Sequence, residues 1–281
     1  MEGRHISPGV LTQFREHLIS EEKSSATVEK YCRDAEVFLR YTRGAELTKE
    51  LVIAYKNRLK EENYAVRSIN SMLASINSLF SFLGWNDLRV KSIRIQQKLF
   101  CPEEEELTRG EYERLVQTAK MRQNERLSLI LQTICGTGIR VSEVQYITVE
   151  AAKRGEAVVS LKGKTRTILI VRELQKKLLR YASEQKIAQG QIFLNRAGKP
   201  LSRTSIWREM KSLCREANVS PDKVFPHNLR HLFARVFYAI EKDIAKLADI
   251  LGHSSINTTR IYIISSGKEH REHIERMRLV L

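Results

Sequence analysis

The chain has 281 residues and carries 48 Lys and Arg against 33 Asp and Glu, a formal net charge of +15 at pH 7. That length allows two domains with real cores, and the charge points to nucleic acid or another polyanion as partner. The longest apolar runs, such as "TILIV" at 167 to 171, fall far short of the ~20 residues of a membrane-spanning helix, and "MEGRHISPGV" has no signal-peptide core, so a cytoplasmic protein with no membrane partner is expected.

The first ~85 residues repeat apolar positions at helical spacing: Val10, Leu11, Phe14 and Leu18, then Val28, Tyr31, Ala35 and Phe38, then Leu51, Tyr55 and Leu59, then Ile69, Leu73, Ile76 and Phe80. Ser24, Ser25 and Thr48 stand where N-caps belong, and Gly44 and Gly84 fall just after periodic segments, which gives four helices in a bundle over residues 1–86. From residue 87 to 106 the periodicity fades through a basic stretch, a proline and four consecutive glutamates, the composition of an interdomain linker. Thr108 and Glu111 have the spacing of a capping box, so a second domain is expected over 107–281.

Within it the pattern predicts an apolar helix over 127–135, a "GTG" turn at 136–138 and a helix opening at Arg140. "EAVVSLKGKTRTILIV" reads as a β-hairpin whose turn is "KGKTR". Helices follow at about 172–187, 203–217, 228–240 and 243–251, with a last amphipathic one from 268 that sets Ile274, Met277 and Leu281 on one stripe. The fold class is therefore mainly α with a small β-hairpin: an N-terminal helical bundle joined to a mixed, mostly helical domain. Basic residues concentrate at 151–215, which hold 16 basic and 4 acidic groups against 16 and 12 in residues 1–100. A charge run is often only a solvated face.

Four cysteines (Cys32, Cys101, Cys135 and Cys214) are too scattered for a C-x-x-C metal or redox pair. His227 and His231, four apart in "PHNLRHLFA", could share a helix face as metal ligands. The position after His227 is Asn228, not the Glu a zinc hydrolase needs as general base, and Arg230 puts a fixed cation beside any metal. The alternative is an anion held by His227 and Arg230, at i and i+3. Arg140 after a glycine turn, His253 past a helix end and Tyr262 nine residues on could join such a site. Taken singly, each is usually a cap, a satisfied polar residue or core.

Together, "TGIRVSEV" at 137 to 144, "HNLRHLFA" at 227 to 234 and "LGHSSINTTRIY" at 251 to 262 resemble the tyrosine recombinase, or phage integrase, family, in the compact two-domain form of Xer recombinases and mobile-element integrases. The resemblance implies that Arg140, His227, Arg230, His253 and Tyr262 are catalytic, with Tyr262 the nucleophile. It also implies a hairpin lysine. Lys162 is favoured because "KGKTR" resembles the Xer form, and Lys164 is the alternative. His231 is read as a structural or supporting residue, and Glu143 either orients Arg140 or is a plain helix-surface carboxylate, the two readings carrying equal weight. Two departures are Arg235, where many relatives have Thr, and Ile263 and Ile264 after the tyrosine.

What the resemblance implies is site-specific DNA cleavage and rejoining through a 3′-phosphotyrosine and a Holliday junction, with no metal, ATP or other cofactor. A tyrosine hydroxyl, with an ordinary pKa of about 10, needs a charge-masked phosphate before it can attack. Two arginines can fork onto the non-bridging oxygens, and a lysine can protonate the leaving 5′-oxygen. The implied partners are double-stranded core sites gripped by a C-shaped clamp of the two domains, three further protomers in a cyclic tetramer with C-terminal tails exchanged, and accessory proteins. The rival function is a non-catalytic DNA-binding or architectural protein of the same fold, which would not require the full set of six residues.

Overall fold

The computed structural model describes residues 4–7, 9–94, 105–161, 164–195, 197–262 and 275–277. The chain divides into two compact units, Met1–Gln97 and Lys98–Leu281.

The first unit is built from α1 (Gly9–Ser20), α2 (Ser25–Thr42), α3 (Lys49–Glu61) and α4 (Val66–Phe82). The Ser24 and Thr48 hydroxyls accept from the Thr27 and Leu51 amides at 3.3 and 3.2 Å, filling donors that a helix start leaves open. Phe14, Leu18, Val28, Ala35 and Leu79 form one core, and Phe38, Val52, Tyr55, Ile76 and Phe80 belong to the other. Residues 87–94, expected at the head of the linker, are pinned to this bundle. Asn77 bonds both main-chain groups of Val90, and Asn70 bonds both those of Ile93, at 2.7 to 2.9 Å. An irregular segment needs partners for its amides and carbonyls, and two asparagines supply both kinds.

The second unit opens with α5 (Arg109–Met121), whose capping box is complete: the Glu111 amide donates to Thr108 Oγ1 at 3.2 Å and the Thr108 amide to Glu111 Oε2 at 2.8 Å. There follow α6 (Glu125–Thr137), α7 (Val149–Arg154), β1 (Glu156–Leu161), β2 (Lys164–Leu169), α8 (Arg172–Glu184), α9 (Arg203–Ser212), α10 (Pro226–Glu241), α11 (Ile244–Leu251) and α12 (Ile256–Arg260). The strands pair antiparallel from Glu156 with Leu169 to Leu161 with Lys164. Mostly helical units with one two-stranded sheet among the described residues match the expected fold class. Around Ile130, Ile134, Leu178 and Leu229 a single apolar core joins α6, α8, α10 and the inner face of the hairpin.

Local details differ from the sequence reading. Gly136 and Thr137 continue α6, and only Gly138 leaves it, in the left-handed conformation that caps a helix end. The segment after Arg140 is a 3₁₀ stretch, Val141–Tyr146, not an α-helix. The hairpin turn is tighter than "KGKTR", because Lys164, Thr165 and Arg166 are already paired in β2. The helix placed at 203–217 ends at Ser212, and α7 and α12 are additional. The final helix expected from 268 lies outside the described residues apart from 275–277. No helix among the described residues is long and apolar enough to cross a membrane.

Candidate active site

Helix α10 carries the centre of the site. Pro226 starts it at a position where a missing amide costs nothing, and Lys242 in the left-handed conformation ends it. Successive turns then set His227, Arg230, His231 and Ala234 along one side, at i, i+3, i+4 and i+7.

Arg230 is 1% exposed. Nη1 donates to the Gly138 carbonyl at 2.5 Å and Nη2 to the Leu251 carbonyl at 2.8 Å, the ends of α6 and α11, while His253 Nε2 lies 2.9 Å from Nη2. Helix C-termini carry partial negative charge, so these carbonyls are suitable seats for a cation. Among the described residues no carboxylate pairs with Arg230. Burial first, then the Arg140 charge, push its pKa down to about 10, with the Tyr262 side chain acting the other way. Arg230 is thus a desolvated positive charge with no carboxylate of its own among the described residues.

Gly138 makes this seat possible. Its φ is +65°, and a Cβ there would fall 2.4 Å from Phe233 Cδ1. A larger residue would strain the backbone and push Phe233 away just where the carbonyl meets Arg230.

Arg140 is exposed and directs its guanidinium to Glu143 Oε1 at 3.0 Å, while its amide donates to Glu143 Oε2 at 2.8 Å. Glu143 itself is 1% exposed. Burial raises its carboxyl pKa, but the Arg140 amide and the Arg166 guanidinium outweigh this and hold it below the ordinary carboxylate range. Glu143 therefore orients Arg140 from beneath and leaves the cation facing solvent.

Tyr262 follows α12 and is 3% exposed, packed with Ala234, Leu247 and Leu251. Its ring meets three imidazoles, with centroids 4.3 Å from His231, 5.5 Å from His253 and 5.6 Å from His227. His253 Nδ1 lies 2.8 Å from Thr259 Oγ1. An arginine can only donate, so Nε2 of His253 accepts from Arg230 and the proton sits on Nδ1, facing Thr259. Burial, then the charges of Arg230 and Arg140, lower the His253 pKa to about 4, which keeps that neutral form. His231 is lowered to about 3 by burial, then by His227, and His227 is lowered by desolvation, then by Arg230 and Arg140.

The structure thus brings together Arg140, His227, Arg230, His253 and Tyr262. Lys162 lies outside the described residues; Lys164 opens β2 opposite Leu161. His227 and His231 pack ring edge to face at 4.6 Å, and among the described residues no group of three or more His, Cys, Asp or Glu side chains is set to hold a metal ion. Two members of the cluster escape the motif reading. Thr259 is fully buried, and its hydroxyl oxygen accepts the proton that the Arg230 contact leaves on His253 Nδ1. Arg166 reaches Glu143 and the Ile250 carbonyl. The signal for Arg166 is present in the strand alternation, since 166, 168 and 170 share one face and Ile168 and Ile170 are buried.

The fold is that of the integrases. A lambda integrase dimer bound to a COC′ core site superimposes with a TM-score of 0.74 at 18% identity, covering 92% of this chain and 77% of that one. A lambda integrase tetramer bound to a Holliday junction gives 0.74 at 18%, covering 93% and 78%. Residues 105–269 match the phage integrase family and residues 11–87 the phage integrase N-terminal SAM-like domain, so the chain belongs to the phage integrase family and is a tyrosine recombinase. Tyrosine recombinase XerA of Pyrococcus furiosus is 29% identical to it over 100% of this chain and 98% of its own length.

Proposed function

We propose that the protein is a site-specific DNA recombinase that cuts and rejoins strands through Tyr262. The phenolic oxygen bonds to the scissile phosphorus as the bond to the 5′-oxygen breaks, leaving a 3′-phosphotyrosine and a free 5′-hydroxyl. That hydroxyl then attacks the equivalent linkage of a partner duplex, and two rounds pass through a Holliday junction. Arg230 and Arg140 hold the non-bridging oxygens as charge shifts, a form of stabilisation worth on the order of 100- to 1000-fold in rate per donor. Lys162 protonates the leaving 5′-oxygen, with Lys164 as the alternative donor.

His227, neutral and exposed, receives the phenolic proton, whereas His253 acts by holding Arg230, because its Nε2 is already engaged there. The phosphotyrosine conserves the bond energy and the arginines supply fixed positive charge, so neither ATP nor a metal enters the scheme. We assign core-DNA binding to residues 1–86 and catalysis to 107–281, joined through 87–106. The working assembly is a cyclic homo-tetramer on synapsed double-stranded DNA with C-terminal tails exchanged, with accessory proteins joining it in the cytoplasm.

One observation carries the reading: a guanidinium 1% exposed and without a carboxylate partner among the described residues lies beside a tyrosine ringed by three imidazoles. A scissile phosphate would complete that charge balance. The test uses a pool of nicked random-sequence duplexes incubated with the protein in EDTA. The reading expects protein–DNA adducts that survive SDS and vanish in Tyr262→Phe. No adduct, or an adduct that persists in Tyr262→Phe, overturns it.

A further inference from the structure

Arg166 stands on β2 opposite Val159, with its side chain only 13% exposed. Nη2 donates to Glu143 Oε2 at 2.5 Å, and Nη1 donates to the Ile250 carbonyl, in the last turn of α11, at 2.6 Å. Gly252 makes room for it: φ there is +65°, and a Cβ would fall 2.3 Å from Arg166 Cδ. The Arg166 Nε is buried and has no hydrogen-bond partner among the described residues.

Each end of this link leads to an arginine of the site. Glu143 holds the Arg140 guanidinium and amide. The carbonyl of Leu251, next along the chain from Ile250, and the His253 ring hold Arg230. A single guanidinium therefore ties the hairpin to the turn that presents Arg140 and to the helix end that seats Arg230.

Stability alone gives little reason for such a residue. Ile168 and Ile170 share its strand face, and an apolar side chain there would avoid taking a guanidinium and a carboxylate out of water. What the buried pair adds is direction.

We propose that Arg166 is a positioning residue for strand cleavage, fixing Arg140 through Glu143 and the Arg230 seat through Ile250. The proposal rests on the recombinase reading above. It extends the working set from the motif residues to the strand that Lys164 opens.

The test compares single-turnover cleavage and DNA affinity for the wild type, Arg166→Gln, Arg166→Lys, Glu143→Gln and the Arg166→Gln/Glu143→Gln double variant. The substrate is the duplex recovered from the covalent adducts. Misplacing a phosphate-holding group by about 1 Å costs on the order of 100-fold, and Arg166→Gln is expected to lose about that much rate with DNA affinity retained. Arg166→Lys, which keeps the charge and one of the two bonds, recovers part of the loss. The double variant cleaves no more slowly than the slower single, because both substitutions break one chain of contacts. A methylphosphonate at the scissile position, which removes the charge that the arginines must meet, narrows the gap between wild type and Arg166→Gln.

Wild-type cleavage by Arg166→Gln overturns the proposal, as does a rate loss matched by lost affinity, or multiplicative losses in the double variant. If Arg166→Gln does not fold, a folded Arg166→Lys that cleaves at the wild-type rate is enough to overturn it. A wild-type protein that forms no adduct defeats the recombinase reading itself, and this proposal with it.

Discussion

Arg230→Gln separates chemistry from stability more sharply than any other substitution in the site. The wild-type guanidinium makes three hydrogen bonds, to the Gly138 and Leu251 carbonyls and to His253. Bonds from a charged donor contribute about 1.5–3 kcal/mol each, and burying the charge costs several kcal/mol, so the terms largely offset. Glutamine fills part of the space, keeps an amide donor and removes the desolvated charge. The expected melting-temperature change is therefore within about 8 °C, from ~2 kcal/mol of net effect at ~2–4 °C per kcal/mol for a unit of this size.

Cleavage behaves differently. Arg230 supplies fixed positive charge next to Tyr262, and losing one such preorganised donor costs about 100- to 1000-fold. Arg230→Lys falls by at least about tenfold as well, because an ammonium is a point charge and cannot span two carbonyls while forking onto a phosphate. Thermal melts and single-turnover adduct formation on a nicked duplex read the two quantities separately. Cleavage by Arg230→Gln within tenfold of wild type would refute the argument that this buried charge exists for the phosphate.

Three more outcomes are expected. Lys162→Ala slows cleavage by about 100-fold or more, and a bridging 5′-phosphorothioate, whose thiolate leaves without a proton, restores most of the rate; the same pattern in Lys164→Ala instead moves the general acid to Lys164. His253 and His231 have folded pKa values of about 4 and about 3 against an ordinary value near 6.5, so the unfolded chain binds more protons between these limits. Their stabilisation is full above pH 6.5 and is lost as pH falls through the folded values; melts from pH 7 to 4 should show this decline, shallower in His253→Asn, and an equal slope in that variant contradicts the assignment. Gly252→Ala is expected to lose roughly 1–3 kcal/mol from its left-handed backbone and from the Arg166 contact, read by denaturant titration; a neutral result would mean that Arg166 yields freely.

Much of this was legible before the structure. The apolar spacing of residues 10–80 marks four helices because each buries one stripe, and Thr108 with Glu111 marks a helix start because both caps are side-chain chemistry written in the sequence. The arginine, histidine and tyrosine segments read well because they are contiguous. What stayed hidden depends on contacts across the chain. Arg166 looked like turn polarity in "KGKTR" because its partner Glu143 is 23 residues away. The five residues of α12 are too few to show a helical period, and they hold the Thr259 that accepts from His253. The Arg140 segment kept helical spacing, yet its capping carboxylate folds back within three residues and the stretch winds as a 3₁₀ turn. His253, read as one of the groups of an anion site, is turned onto Arg230, a choice set by where the α11 end meets α10.

The account stands or falls on the covalent step. Adducts trapped on the nicked duplex, digested with protease and nuclease and examined by tandem mass spectrometry, should carry the nucleotide on the Tyr262 oxygen through a 3′-phosphate. A nucleotide on another side chain, or a 5′-linked phosphate on Tyr262, would contradict it.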